Sequence, residues 1–389
     1  MLHALVEEIL AGTRVIDIHT HLFPASFGRL LLHGVDDLLT YHYLEAELFR
    51  MSTIRPEQYW TLAPRARADL IWQTLFLDHT PISEATRGVV AALTAFGLDP
   101  STTSLEPFRK FFGALDLADH IGHVLDLAGV SEVVMTNDPL DPDEAPLWEA
   151  GFTPGAGFRP ALRLDRVLNE AAWEPADARR LLETWSRRMK PAYMAVSLPD
   201  SFVFPAADRR TQLLRDAVLP VCRAFGLPLS LMIGVRRGVN PALRGAGDAS
   251  GRADLRAIAT LCGEYPGNRF LVSVLSRENQ HELCVYARKF SNLLPFGCWW
   301  FLNNPSIVEE ITRERLEMLG TSFIPQHSDA RVLEQLIYKW RNTRRTLVPV
   351  LTRAYELLEQ DGRRVSREDI QRDVTTLFRG NAEQWMAQW

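Results

Sequence analysis

Residues 14–21 read RVIDIHTH, and the reading of this stretch decides the fold. The short apolar run ends abruptly in polar residues, as a strand buried on both faces does. In a strand, residues i and i+2 point the same way, so His19 and His21 converge at the carboxyl end of this first strand. In a (β/α)8 barrel that end is the catalytic face. Imidazole is the commonest ligand type for zinc and similar divalent ions, so His19-Thr20-His21 is a candidate metal pair. The alternative is two surface or capping histidines.

Working outward, runs of the same kind recur: 132–135 (EVVM), 158–164 (FRPALRL), 193–198 (YMAVSL), 228–233 (PLSLMI), 269–275 (RFLVSVL), 294–301 (LPFGCWWF) and 321–325 (TSFIP). Helical patterns lie between most of them, as at 177–189 and 212–225. Eight such strands separated by helices predict an α/β fold, a (β/α)8 TIM-type barrel. A doubly wound sheet is the alternative, but the Gly-rich phosphate fingerprint after the first strand is absent. Between the first and second strands, residues of about 38–125 are rich in Leu, Ala, Arg and Trp and read as helices. They predict a helical insertion over the barrel mouth. A second helical stretch, from about 330 onward, predicts a C-terminal helical tail. The expectation is one domain over residues 1–389.

Composition narrows the function. Hydrophobic residues make up 47% and charged residues 23% of 389, which excludes disordered and collagen-like classes. The net charge of −5 gives no support to nucleic acid or membrane as partners. An anionic ligand must then be held by a few placed cations. The four cysteines form no CxxC pair, and the N-terminus lacks the basic region of a signal peptide, so a reduced, cytoplasmic setting is expected. A small-molecule partner is expected, and a homo-oligomer is allowed.

Four further groups carry candidate chemistry. Ser328-Asp329-Ala330-Arg331 follows the last strand run, where Asp329 can face the two histidines and Arg331 can lie beside it. The competing reading is that Asp329 caps a helix over 332–341. A helix beginning near Tyr41-His42-Tyr43 would put Tyr43, Glu47 and Arg50 on one face, and His42 and Tyr43 could move protons. An apolar packing stripe is the competing reading there. Arg163, ending the third run, can grip a carboxylate or simply pair with Asp165. Trp299-Trp300 is first a core pair, and Thr136-Asn137-Asp138-Pro139 first a turn. The fourth strand lacks a Lys and the fifth and sixth lack a His, which argues against a binuclear hydrolase site.

These residues, taken in order, resemble the uronate isomerase (glucuronate isomerase) family of the metal-dependent amidohydrolase superfamily. His19-Thr20-His21 matches its first-strand HxH, and His42-Tyr43 with Arg50 its His-Tyr helix start. Thr136-Asn137-Asp138-Pro139 is similar to its Thr/Asp-Asp-Pro turn, and Arg163-Leu164-Asp165 to its Arg-Pro-Asp. Trp299-Trp300-Phe301 and Ser328-Asp329-Ala330-Arg331 parallel its Trp-Trp-Phe and Thr-Asp-Ser-Arg. The resemblance implies an aldose–ketose isomerase acting on a hexuronate, D-glucuronate or D-galacturonate, through an enediolate. It implies one divalent ion, zinc first with manganese as an alternative, held by His19, His21 and Asp329. It implies catalytic roles for Asp329, Arg331, Tyr43 and His42, and substrate binding by Arg163 and Trp300. Glu45 and Glu47 stand where the family is basic or aromatic, and would repel an acid if they faced the pocket. A mononuclear metal hydrolase or decarboxylase, or an inactive ligand-binding relative, are the rival readings.

Overall fold

A computed structural model describes residues 2–170 and 173–387. Seven parallel strands form one curled sheet. They are β1 (Val15–Thr20), β2 (Val130–Asn137), β3 (Phe158–Arg163), β4 (Met194–Pro199), β5 (Leu229–Arg236), β7 (Phe270–Val274) and β8 (Leu293–Pro295), in the order β1-β2-β3-β4-β5-β7-β8. The two-residue β6 (Ala249–Ser250) pairs antiparallel with the end of β5. Every residue of β1 and β7 is buried, as continuous apolar runs require of strands covered on both faces.

Alternate residues feed two cores. Leu229, Leu231 and Ile233 of β5 pack outward against the surrounding helices, whereas Met232 and Val235 pack inward with Ile16, Ile18, Val134 and Phe296. Helices Pro175–Met189 and Leu219–Phe225 belong to the outer layer. Between β1 and β2 lie seven α-helices, from Gly34–Leu39 to Leu117–Ala128. They build a third apolar cluster around Leu38, Leu48, Trp72, Phe76 and Phe108. The last of them ends at Gly129, whose φ of +63° turns the chain into β2. After residue 330 the chain runs into the 26-residue helix Gln335–Gln360. Among the described residues, no helix is long and apolar enough to cross a membrane.

Two sequence expectations need correction. The run 321–325 contributes a single parallel bridge, Ile324 to Phe296, rather than a full strand. Extended chain beyond it spans the gap between β8 and β1. Gly297 N donates to Ile324 O (2.8 Å), Asp329 N to His19 O (3.1 Å) and His21 N to Ala330 O (2.7 Å). The run 294–301 is a strand only to Pro295, because Gly297 (φ +66°) and Trp300 (φ +47°) turn the chain off the sheet. These turns lift Trp299 and Trp300 to the sheet's carboxyl edge.

Candidate metal centre and active site

His19 is the last-but-one residue of β1, with its neighbours locked. Its Nδ1 lies 3.4 Å from the Tyr193 hydroxyl and 3.5 Å from Thr136 Oγ1, and Thr136 also donates to Thr20 O (2.8 Å). That leaves Nε2 for the cavity, 3.5 Å from Asp329 Oδ1. His21 Nε2 lies 3.3 Å from the same oxygen. The donor atoms of His19, His21 and Asp329 fall within 4.8 Å of one another. Such separations are long for charge-assisted hydrogen bonds. They match donors sharing one ion, because two ligands each about 2.1 Å from a tetrahedral ion lie about 3.4 Å apart. Two imidazoles and one carboxylate also leave coordination positions open. The residues present therefore fit a divalent ion.

Asp329 is no helix cap. The following helix begins at Gln335, and the Asp329 backbone (φ +51°) is held by its bond to His19 O. Burial opposes its ionisation, yet bonds and charge from His19 and His21 hold the carboxyl well below the usual range. Burial, then the charge of Arg331, pushes His21 well below an ordinary imidazole. Behind the cluster, the fully buried Asp17 accepts from Ser328 N (3.0 Å) and Trp340 Nε1 (2.8 Å), tying β1 to the segment that carries Asp329.

A cavity of about 380 Å³ opens over this cluster. It gathers His19, His21, His42, Arg163, Trp300, Asp329 and Arg331 from separate stretches of chain. Tyr43 does not line it. Its neighbour Tyr41 does, with its ring edge-on 4.9 Å from that of Tyr43. Burial, then Arg331, lowers the His42 imidazole to about 3, so this ring is neutral at working pH. Burial and the neighbouring Tyr41 push the Tyr43 phenol well upward. Arg163 donates from Nε to Asp165 Oδ2 (3.0 Å). Burial works against its charge, but Asp165 keeps it fully protonated. Trp300 stacks on Phe301 and has the Arg237 guanidinium 5.9 Å from its ring. Arg50 is exposed at the end of its helix.

The two acids separate. Glu47 accepts from Ser83 Oγ (2.7 Å) and lies outside the cavity lining. Glu45, 6% exposed, does line the cavity. It accepts from the Tyr59 hydroxyl (2.9 Å), lies 3.6 Å from Arg67, and has its pKa raised by burial. Its charge is therefore answered within the protein. Sequence reading missed Tyr41, Glu45 as a wall residue, and the ion pair Arg237–Asp248. That pair sits in the loop after β5, at the strand end where functional loops of a barrel gather, which is the one signal that pointed there. Thr136, read as part of a turn, is the last-but-one residue of β2 and borders His19.

A curled parallel sheet with a His–His–Asp cluster at its carboxyl edge defines an α/β protein built to hold a divalent ion over a polar cavity. No protein-family model matches the sequence, and no curated protein does. Solved structures match. A uronate isomerase from Bacillus halodurans is 47% identical with a TM-score of 0.96, over 99% of this chain and 96% of that one. The chain belongs to the uronate isomerase family. A uronate isomerase from Thermotoga maritima (14% identity, TM-score 0.77, 99% of this chain and 97% of that one) shares the fold. So does a glucuronate isomerase from Caulobacter crescentus (15%, TM-score 0.74, 99% and 92%).

Proposed function

We propose that the protein interconverts the aldose and ketose forms of a hexuronate, D-glucuronate with D-fructuronate or D-galacturonate with D-tagaturonate. The carrying observation is that one cavity holds the His19–His21–Asp329 cluster together with the cations Arg163 and Arg331. A sugar acid needs both poles, one for its reacting carbonyl end and one for its carboxylate. Family membership at 47% identity over nearly the whole chain supports the same reading.

The reaction moves a proton from the carbon beside the carbonyl to the carbonyl carbon, through an enediolate. A divalent ion at His19, His21 and Asp329, zinc on this reading, supplies Lewis-acid stabilisation of charge on the substrate oxygens. Asp329 stays ionised and is the proton acceptor. Arg331, on the cavity wall beside it, offsets the enediolate charge. The neutral His42 and the protonated Tyr41–Tyr43 pair pass protons between oxygens and help open the sugar ring. Arg163 clamps the remote carboxylate and so converts binding into orientation. Trp299 and Trp300 form part of the cavity wall.

The architecture completes the proposal. The segment through Ile324 and Asp329 takes the eighth position of a (β/α)8 barrel. The helices between β1 and β2 are an insertion over its mouth, the helices after 330 are a tail, and the whole is one domain.

Incubation with D-glucuronate and D-galacturonate in deuterated water tests the function. Ketose must form, carrying deuterium wherever the transferred proton exchanges with solvent. Metal-loaded protein that forms no ketose from either sugar overturns the assignment.

A further inference from the structure

Lys339 lies on helix Gln335–Gln360 with its side chain only 4% exposed. A buried ammonium needs partners, since desolvation costs several kcal/mol (about) per ion. The carboxylate found nearby is Glu84 Oε1, 3.7 Å away on helix Glu84–Ala95, beyond hydrogen-bond range. Among the described residues Nζ has no hydrogen-bond partner. The ammonium instead sits 5.2 Å from the ring centroid of Tyr43 and 5.4 Å from that of Tyr338. Beside it is a small, partly open cavity of about 10 Å³, whose wall mixes Glu84, Asn303, Gln326 and Thr343 with Pro305 and Val308. A space of that size has room for one water molecule, with Glu84, Asn303 and Gln326 as polar partners.

The position matters because of what Tyr43 touches. Its ring lies edge-on 4.9 Å from that of Tyr41, and Tyr41 and Arg331 both line the substrate cavity. Gln326, on the wall of the small cavity, accepts from Cys298 N (2.7 Å) and His327 N (3.0 Å), so the same space borders the chain leading into Asp329. One buried cation thus sits among the helices Gln335–Gln360, Glu84–Ala95 and His42–Met51.

We propose that Lys339 is a positioning residue: completed by one water in this cavity and paired with Glu84, its ammonium holds the Tyr43 ring so that Tyr43 orients Tyr41 against the substrate. The proposal rests on the isomerase reading, which wild-type turnover tests separately. Lys339→Met keeps the apolar stem and removes the charge. It should lower kcat about tenfold, the equivalent of a desolvated cation–π contact, with KM within about twofold and metal content unchanged. Tyr43→Leu removes the ring through which the effect runs. In that background Lys339→Met should change kcat less than about twofold, because the two residues act as a unit. Equal losses in both backgrounds, or a loss that follows metal content, overturn the proposal. If Lys339→Met does not fold, a high-resolution crystal structure of the wild type decides: a water bonded to Lys339 Nζ supports it, and a dry cavity overturns it. A wild type inactive on both sugars would fail the isomerase reading alone, leaving the water test standing.

Discussion

Asp329 carries a φ of +51°, a region that costs a non-glycine residue about 1 kcal/mol or more. The strain persists because its amide is tied to His19 O and the next carbonyl to His21 N. The same two bonds hold its carboxylate against the two imidazoles. Asn tolerates this backbone region and keeps the shape, so Asp329→Asn should fold with a melting temperature near that of the wild type. Without the charge, metal affinity should fall at least about 100-fold and turnover with it. Metal analysis after dialysis, alongside a thermal melt, checks both halves. Arg163 should behave differently. It is partly solvent-exposed, so its clamp on a carboxylate is discounted for screening. Arg163→Met should raise KM about 10- to 100-fold on uronates and leave metal content intact. Unchanged kinetics would reduce Arg163 to a partner of Asp165.

Strand β1, the segment around Ser328 and the helix Gln335–Gln360 meet at one carboxyl group. Asp17 is fully buried, and burial raises its pKa, while Ser328 N and Trp340 Nε1 supply the donors that hold it in place. Removing the indole donor leaves Oδ2 without it in a dry site. Trp340→Phe should therefore destabilise the protein by about 2–4 kcal/mol, the cost of an unanswered buried polar group plus lost packing. The penalty should shrink when Asp17→Asn is added, since a neutral amide needs less. Urea denaturation of the single and double variants measures this. Equal losses with either residue at position 17 would mean that the indole acts by packing alone. A second contact on the same elements points the same way. A Cβ built at Gly297 would meet His327 at 1.9 Å, and the His327 ring lies 5.2 Å from that of His19. The glycine thus lets the chain after β8 pack closely behind the metal cluster.

Across the molecule, buried imidazoles and buried carboxylates, Glu144 foremost, give the stability a pH dependence of two signs. Burial lowers His42 and His327 to about 3, far beneath their unfolded value near 6.5 (about). Their contribution is present above that unfolded value and is lost as pH falls toward 3, because the unfolded chain binds the protons. Glu144 is opposite. Burial lifts it to about 7, so its contribution is present in acid and fades as pH rises toward 7. The shift amounts to about 3 kcal/mol. Metal-free protein should accordingly lose stability between pH 6.5 and 4 (roughly) faster in Glu144→Gln than in the wild type, which keeps an opposing term. Urea midpoints across that range test it. Parallel curves for the two proteins would show that Glu144 titrates normally.

The sequence by itself determined what depends on short spacing. His19 and His21 share a side because a strand repeats every two residues, and the apolar runs mark strands because both faces are buried. Asp329, Arg331, Arg163, His42 and Trp300 were legible because each lies in a short motif near a strand end or helix start. Tertiary structure decided the rest. Whether Tyr41 or Tyr43 faces the cavity depends on how helix His42–Met51 docks, which no local period records. Glu45 becomes a wall residue because Tyr59 and Arg67, on the helices Pro56–Tyr59 and Pro64–Trp72, arrive to answer its charge. Arg237 and Asp248 join the site only because their loop folds back beside β5. The eighth run keeps a single bridge, Ile324 to Phe296, and beyond it Asp329 takes a positive φ beside two imidazoles. Spacing along the chain places side chains within an element. Which elements then share a cavity follows from packing between residues hundreds of positions apart.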